Sequence, residues 1–128
     1  MLSDRSLLMT ARGFAVATIL VVAALFVTAG ALVQAHQFED IHGASAIVLH
    51  VTSGVLALAL LVLAQRRRVG WPAAAVAVAL FAYSFVQAYL GKGFTLGIHI
   101  PGALAVAVAS TWLVVYVFGR DRIAQPGR

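Results

Sequence analysis

The sequence predicts an all-α, transmembrane, up-down-up-down four-helix bundle with both termini cytoplasmic. Three observations carry this. The 128 residues are 62% hydrophobic and 10% charged, with a mean hydropathy of +1.00, a composition of bilayer proteins. Four apolar runs each approach the roughly 20 residues that cross a bilayer as a helix. The basic residues gather at one set of ends of those runs. We read residues 1–128 as a single membrane domain.

The first run, about residues 13–35, is "GFAVATILVVAALFVTAGALVQA". Its end, "VQA" at 33–35, resembles a signal-peptidase site. Its apolar core is long for a signal peptide, so we expect helix 1 to be retained. The second run, about 43–64, contains His50 within "AIVLHVTSG". The third, about 71–90, starts at Trp71-Pro72 and ends before Gly91. The fourth, about 98–118, starts at "IHIPG", and Pro101 falls in its expected first turn, where a missing N–H costs little. None alternates with the period of two expected of a barrel strand, and lipid admits only helices or closed barrels. The links at 36–42, 65–70 and 91–97 are short, which makes sequence neighbours antiparallel.

Orientation follows from charge. Arg5 and Arg12 precede helix 1, Arg66, Arg67 and Arg68 fill the second link, and Arg120, Arg122 and Arg128 follow helix 4. The positive-inside rule puts that side in the cytoplasm. Glu39, Asp40 and Lys92 fall on the other side. The +5 formal charge is therefore a topology signal and implies no nucleic-acid partner. With no Cys, disulfides, thiolate metal sites, Cys catalysis and covalent c-type haem are excluded. No Ser/His/Asp set, no paired carboxylates within a span and no Gly-rich phosphate loop is present.

The four histidines are the unusual feature, because ionisable groups in spans are costly and face a bundle interior or cavity. His50 lies 16 residues from Arg66, or about 24 Å above the inner boundary. His99 lies 21 residues from Arg120, or about 31 Å. His36 and His42 lie about 36 Å up on the same rise. All four thus gather in the outer half, and helices 2 and 4 are diagonal in such a bundle. Facing imidazoles on diagonal helices suit six-coordinate haem iron. Gly43, Ala46, Ser53, Gly54 and Ala57 share a face with His50, and Gly102 and Ala103 are the next-turn neighbours of His99. Such small faces leave room for a flat macrocycle; they also serve ordinary helix packing. His42 competes with His50 as partner of His99, and otherwise reads as an interfacial, solvated residue. His36 reads as an interfacial loop residue. Tyr83 and Gln87 stand four apart on helix 3, either bonding a histidine's second nitrogen or acting as interhelical glue. "GKGF" at 91–94 reads as a flexible turn, with Lys92 as an alternative propionate partner. "HQFEDIH" at 36–42 gathers metal-type ligands, but its spacing matches no standard zinc site.

On "RRR…GW", "VQAYL" and "IHIPGALAV" the chain resembles a family of small, uncharacterised four-helix bacterial integral membrane proteins. That family has an H-x-x-x-G segment in its second helix, here His50 with Gly54, and a histidine-proline segment in its fourth, here His99 with Ile100 intervening before Pro101. More distantly the chain is similar to one half of haem A synthase and to other four-helix b-type cytochromes. The resemblance implies histidines on helices 2 and 4 ligating haem near the outer face, in a bacterial cytoplasmic (inner) membrane. Glu39 and His42 match part of the haem A synthase E-x-x-H-R segment, but Gly43 replaces its Arg, which argues against haem A synthesis.

The sequence-based expectation is one haem b held by His50 and His99, with His42 as substitute and Gly54 and Gly102 lining the cofactor. Single-electron transfer with quinol or a respiratory partner follows, in contact with lipid and with a partner subunit or second copy. Three alternatives stand beside it: a cofactor-free structural or assembly subunit, a pigment-binding protein with His50 on magnesium, and a small transporter or proton path using His50.

Overall fold

The computed structural model describes residues 2–91 and 93–123, with side chains through Gly119. The arginines at 120, 122 and 128 and Lys92, to which the sequence reading gave topological or propionate roles, lie outside the described side chains. Four helices follow in order: α1 (Asp4–Ala35), α2 (Glu39–Gln65), α3 (Trp71–Leu90) and α4 (Leu96–Ile123), with a single 3-10 turn at Gly93–Thr95 before α4. No strand occurs among the described residues. All four helices are long and apolar enough to cross a membrane.

Each helix packs on its sequence neighbour, and α1 packs on α4 to close the ring. Thus α2 lies diagonally across from α4, and α1 from α3. The short links impose this order. Residues 36–38 turn the chain through left-handed conformations at His36 (φ 53°) and Phe38 (φ 66°). The N–H of His36 caps Leu32 O at 3.0 Å, so His36 has a backbone role as the end of α1.

Hydropathy located the apolar part of each helix better than its ends. α3 matches its predicted limits, because Gly70, Pro72 and Gly91 punctuate it. α1 extends nine residues earlier than predicted, starting at a Ser3 cap whose Oγ accepts from Ser6 N at 3.1 Å. α2 starts four residues early, at Glu39. α4 starts at Leu96, so Pro101 lies inside the helix rather than in its first turn. A proline there removes the bond to the Gly97 carbonyl.

The half that carries the arginine link, which the charge pattern predicts to be the inner one, is tied and tightly packed. Asp4 bonds Arg66 at 3.1 Å and Arg68 at 2.6 Å, and Arg66 also donates to Leu2 O. Arg12 Nε donates to Val117 O at 3.1 Å, and its guanidinium lies over Phe118. Gly70 N–H donates to the Tyr116 hydroxyl at 2.9 Å. Leu56, Leu60, Leu63, Leu113 and Val117 are fully buried against Ala11, Ala15, Ala73, Ala74 and Ala77. Alanines bring the helices close, so the leucines fill the centre.

The outer half differs in kind. The outermost buried apolar side chains are Val22, Leu49, Leu80 and Val106. Beyond them, the buried residues among those described are Thr28, Ser84, Gln87 and Gly102. Among the described residues, the apolar side chains at the level of His42 and His99, such as Leu25 and Tyr83, are only partly buried.

Candidate functional site

Three histidines line this outer region, each oriented by one hydrogen bond at Nδ1. His99, at the start of α4, has Nδ1 2.9 Å from the main-chain carbonyl of Gln87 on α3. A carbonyl only accepts, so Nδ1 carries the hydrogen and the lone pair of the neutral ring lies on Nε2. His42, in the first turn of α2, has Nδ1 2.9 Å from Thr28 Oγ1 on α1. The Thr28 hydroxyl donates back to Ala24 O at 2.9 Å, so Nδ1 of His42 donates to its oxygen. His50 has Nδ1 2.7 Å from Ser84 Oγ on α3. Ser84 donates to Phe81 O at 2.6 Å, so His50 likewise holds its hydrogen on Nδ1. With the Thr28 and Ser84 hydrogens on the Ala24 and Phe81 carbonyls, Nε2 is the lone-pair nitrogen of all three neutral rings. Tying Nδ1 to an oxygen acceptor is how metal-binding imidazoles are oriented and kept basic.

The rings are not equivalent in position. His42 and His99 stand on the diagonal helices α2 and α4, at the same end of the bundle. His50 lies eight residues from His42 along α2, about 12 Å deeper. It packs on the α2–α3 seam, flat against Phe85, with ring centroids 4.0 Å apart and planes at 10°. His36 is exposed in the link. Among the described residues no three of His, Cys, Asp and Glu come together, so "HQFEDIH" does not form a cluster of that size.

Both predicted glycines meet α3. A Cβ on Gly54 would lie 3.0 Å from Phe81 Cε2. A Cβ on Gly102 would overlap Nε2 of Gln87, with the Tyr83 hydroxyl beside it. Gln87 is the more informative of the two α3 partners. Its main chain, not its side chain, bonds His99. Its carboxamide is 6% exposed, and neither Nε2 nor Oε1 has a hydrogen-bond partner. An unsatisfied buried polar group costs about 1–3 kcal/mol. Nearly all buried polar groups find partners, so an orphaned carboxamide beneath His99 needs a reason.

Two lipid-facing grooves flank the region without containing a histidine. One, about 440 Å³, lies between α1 and α2 beside Val21, Asp40 and Val48. The other, about 570 Å³, lies along α3 and α4 beside Val76, Pro101 and Trp112. Thr28, Ser84 and Phe85 escaped the sequence reading. Ser and Thr are common in spans, where they bond their own helix; what distinguishes these two is a facing histidine on another helix.

These features define a class: a four-helix bundle of membrane-crossing length with an imidazole-lined, apolar-poor outer end. Comparison with protein families, curated proteins and solved structures finds no match for the chain.

Proposed function

We propose that the chain is a membrane electron carrier holding one b-type haem between His42 and His99. The observation that carries this is the outer end itself. Two imidazoles stand on diagonal helices at one end of the bundle, each with Nδ1 tied and Nε2 left for ligation. Among the described residues, no apolar side chain beyond Leu49 on α2 and Val106 on α4 is buried. A porphyrin supplies both the apolar filling and the remaining coordination positions, whereas two imidazoles alone do not complete a tetrahedral zinc site. The donor set fits, and the orphaned Gln87 carboxamide gives a polar group of the cofactor a partner.

His42 takes the place that sequence spacing offered to His50. His50 leans on α3, while His42 stands near the end of α2 that lies at the same end of the bundle as His99 on α4. Thr28 and the Gln87 carbonyl act as the positioning acceptors. When bound, the haem supplies a one-electron couple, and two protein ligands favour electron transfer over oxygen chemistry. Electrons pass between a membrane quinol and a partner subunit or second copy, in a bacterial inner membrane with the arginine-rich ends in the cytoplasm.

Titrating haem into the detergent-purified chain tests this. We expect saturation at one haem per chain and the electron paramagnetic resonance of a low-spin, bis-imidazole ferric iron. High-spin iron in the saturated protein, or no saturable binding, contradicts it.

A further inference from the structure

His50 is left unused by the pair above. Its Nδ1–H is committed to Ser84, and Ser84's own hydrogen to Phe81 O. Its Nε2 is therefore an acceptor, and it has no hydrogen-bond donor among the described residues. The ring is only part-buried. Phe85 lies flat against it at 4.0 Å, and Phe81 stands edge-on to Phe85 at 5.2 Å. Phe85 is 49% exposed, and its chain neighbour Val86 and the α2 residues Ile47 and Val51 are also exposed. This seam therefore combines a fixed acceptor with an aromatic wall, open sideways to lipid.

An acceptor at hydrocarbon depth has no water to satisfy it. A molecule dissolved in the bilayer must bring the donor. The aromatic wall selects a flat ring, since offset stacking adds to simple burial. A quinol has both a flat ring and hydroxyl donors; its oxidised form presents only carbonyl acceptors there. We propose that His50 Nε2, backed by Phe85 and positioned by Ser84, binds a membrane quinol headgroup by accepting one hydroxyl hydrogen bond. The choice of a quinol rests on the electron-transfer reading; the seam's geometry does not.

The test is a titration of the full chain in detergent, with histidine 15N-labelled and the sample kept reduced by dithionite. His50→Gln assigns the His50 resonances by their disappearance. Three probes are compared: a decyl-substituted hydroquinone, its dimethyl ether, and decanol. We expect the hydroquinone to shift the His50 Nε2 resonance saturably. The ether, with the same ring and no donor, and decanol, with a donor and no ring, produce no saturable shift. Ser84→Ala, which frees Nδ1, raises the half-saturating hydroquinone concentration about fivefold. No saturable shift with hydroquinone, or an equal shift with the ether or decanol, overturns the proposal. The readout is a nitrogen resonance, so a colourless protein that shows the shift loses the haem reading and keeps this one. A haem protein without the shift does the reverse.

Discussion

At the scale of residues, the tautomers of the histidines decide the chemistry. Each ring offers Nε2 because an oxygen on another helix holds Nδ1. Of the two proposed haem ligands, His42 has the support that substitution can remove, because Thr28 holds it with a side-chain oxygen and Gln87 holds His99 with a main-chain carbonyl. We expect Thr28→Val to weaken haem binding about 10-fold or more, the usual effect of losing such a support, measured by haem transfer to a competing apoprotein. Gln87 gives a second test. Replacing it by Leu removes an orphaned carboxamide, so the haem-free chain gains about 1 kcal/mol in thermal unfolding, while haem retention falls. Equal effects on both forms contradict a cofactor role for that side chain. The gathering of the histidines at the end of the bundle away from the arginine link was legible in the sequence through counting. Their partners were not. Ser84 and Thr28 look like any hydroxyl residue in a span, and only packing brings each opposite an imidazole. Gln87 was visible as a candidate, but its use of the main-chain carbonyl was not.

Elements show the same division. α3 was legible to the residue because Gly70, Pro72 and Gly91 are local stop signals. The start of α1 was missed because hydropathy ignores a polar helix end, although the Ser3 cap is a local signal too. The left-handed Phe38 at the head of α2 has no such signal, since a bulky residue rarely adopts that conformation. It sets where His42 begins its turn. Phe38→Gly relieves a backbone cost of about 1–2 kcal/mol and raises the thermal midpoint in detergent. Unchanged or lowered stability there means that the phenyl ring contributes more than its backbone costs. Gly102 tests the α3–α4 seam from the other side. A Leu at this position drives Gln87 and Tyr83 away from α4 and costs about 1–3 kcal/mol by overpacking. It also shifts the Gln87 carbonyl that positions His99.

Across the whole molecule, the bundle divides into two unlike halves. The inner half is a leucine-alanine core clasped by Asp4 to the Arg66–Arg68 link. The outer half is short of apolar filling and holds the imidazoles. Orientation is open to a clean experiment because the chain has no cysteine. Phe94→Cys, at a fully exposed position before α4, reacts with an impermeant maleimide added to intact spheroplasts. Arg67→Cys reacts only after lysis; the opposite pattern reverses the proposed topology.

The most direct measurement is the absorption spectrum of the detergent-purified protein, oxidised and then reduced with dithionite, from cells supplied with ample haem. The account predicts a Soret band and a sharp b-type α-band on reduction. Both are lost in His99→Ala and in His42→Ala, and both remain in His50→Ala. A colourless protein contradicts the cytochrome reading outright. A spectrum that survives His42→Ala and disappears in His50→Ala contradicts the assignment of the pair.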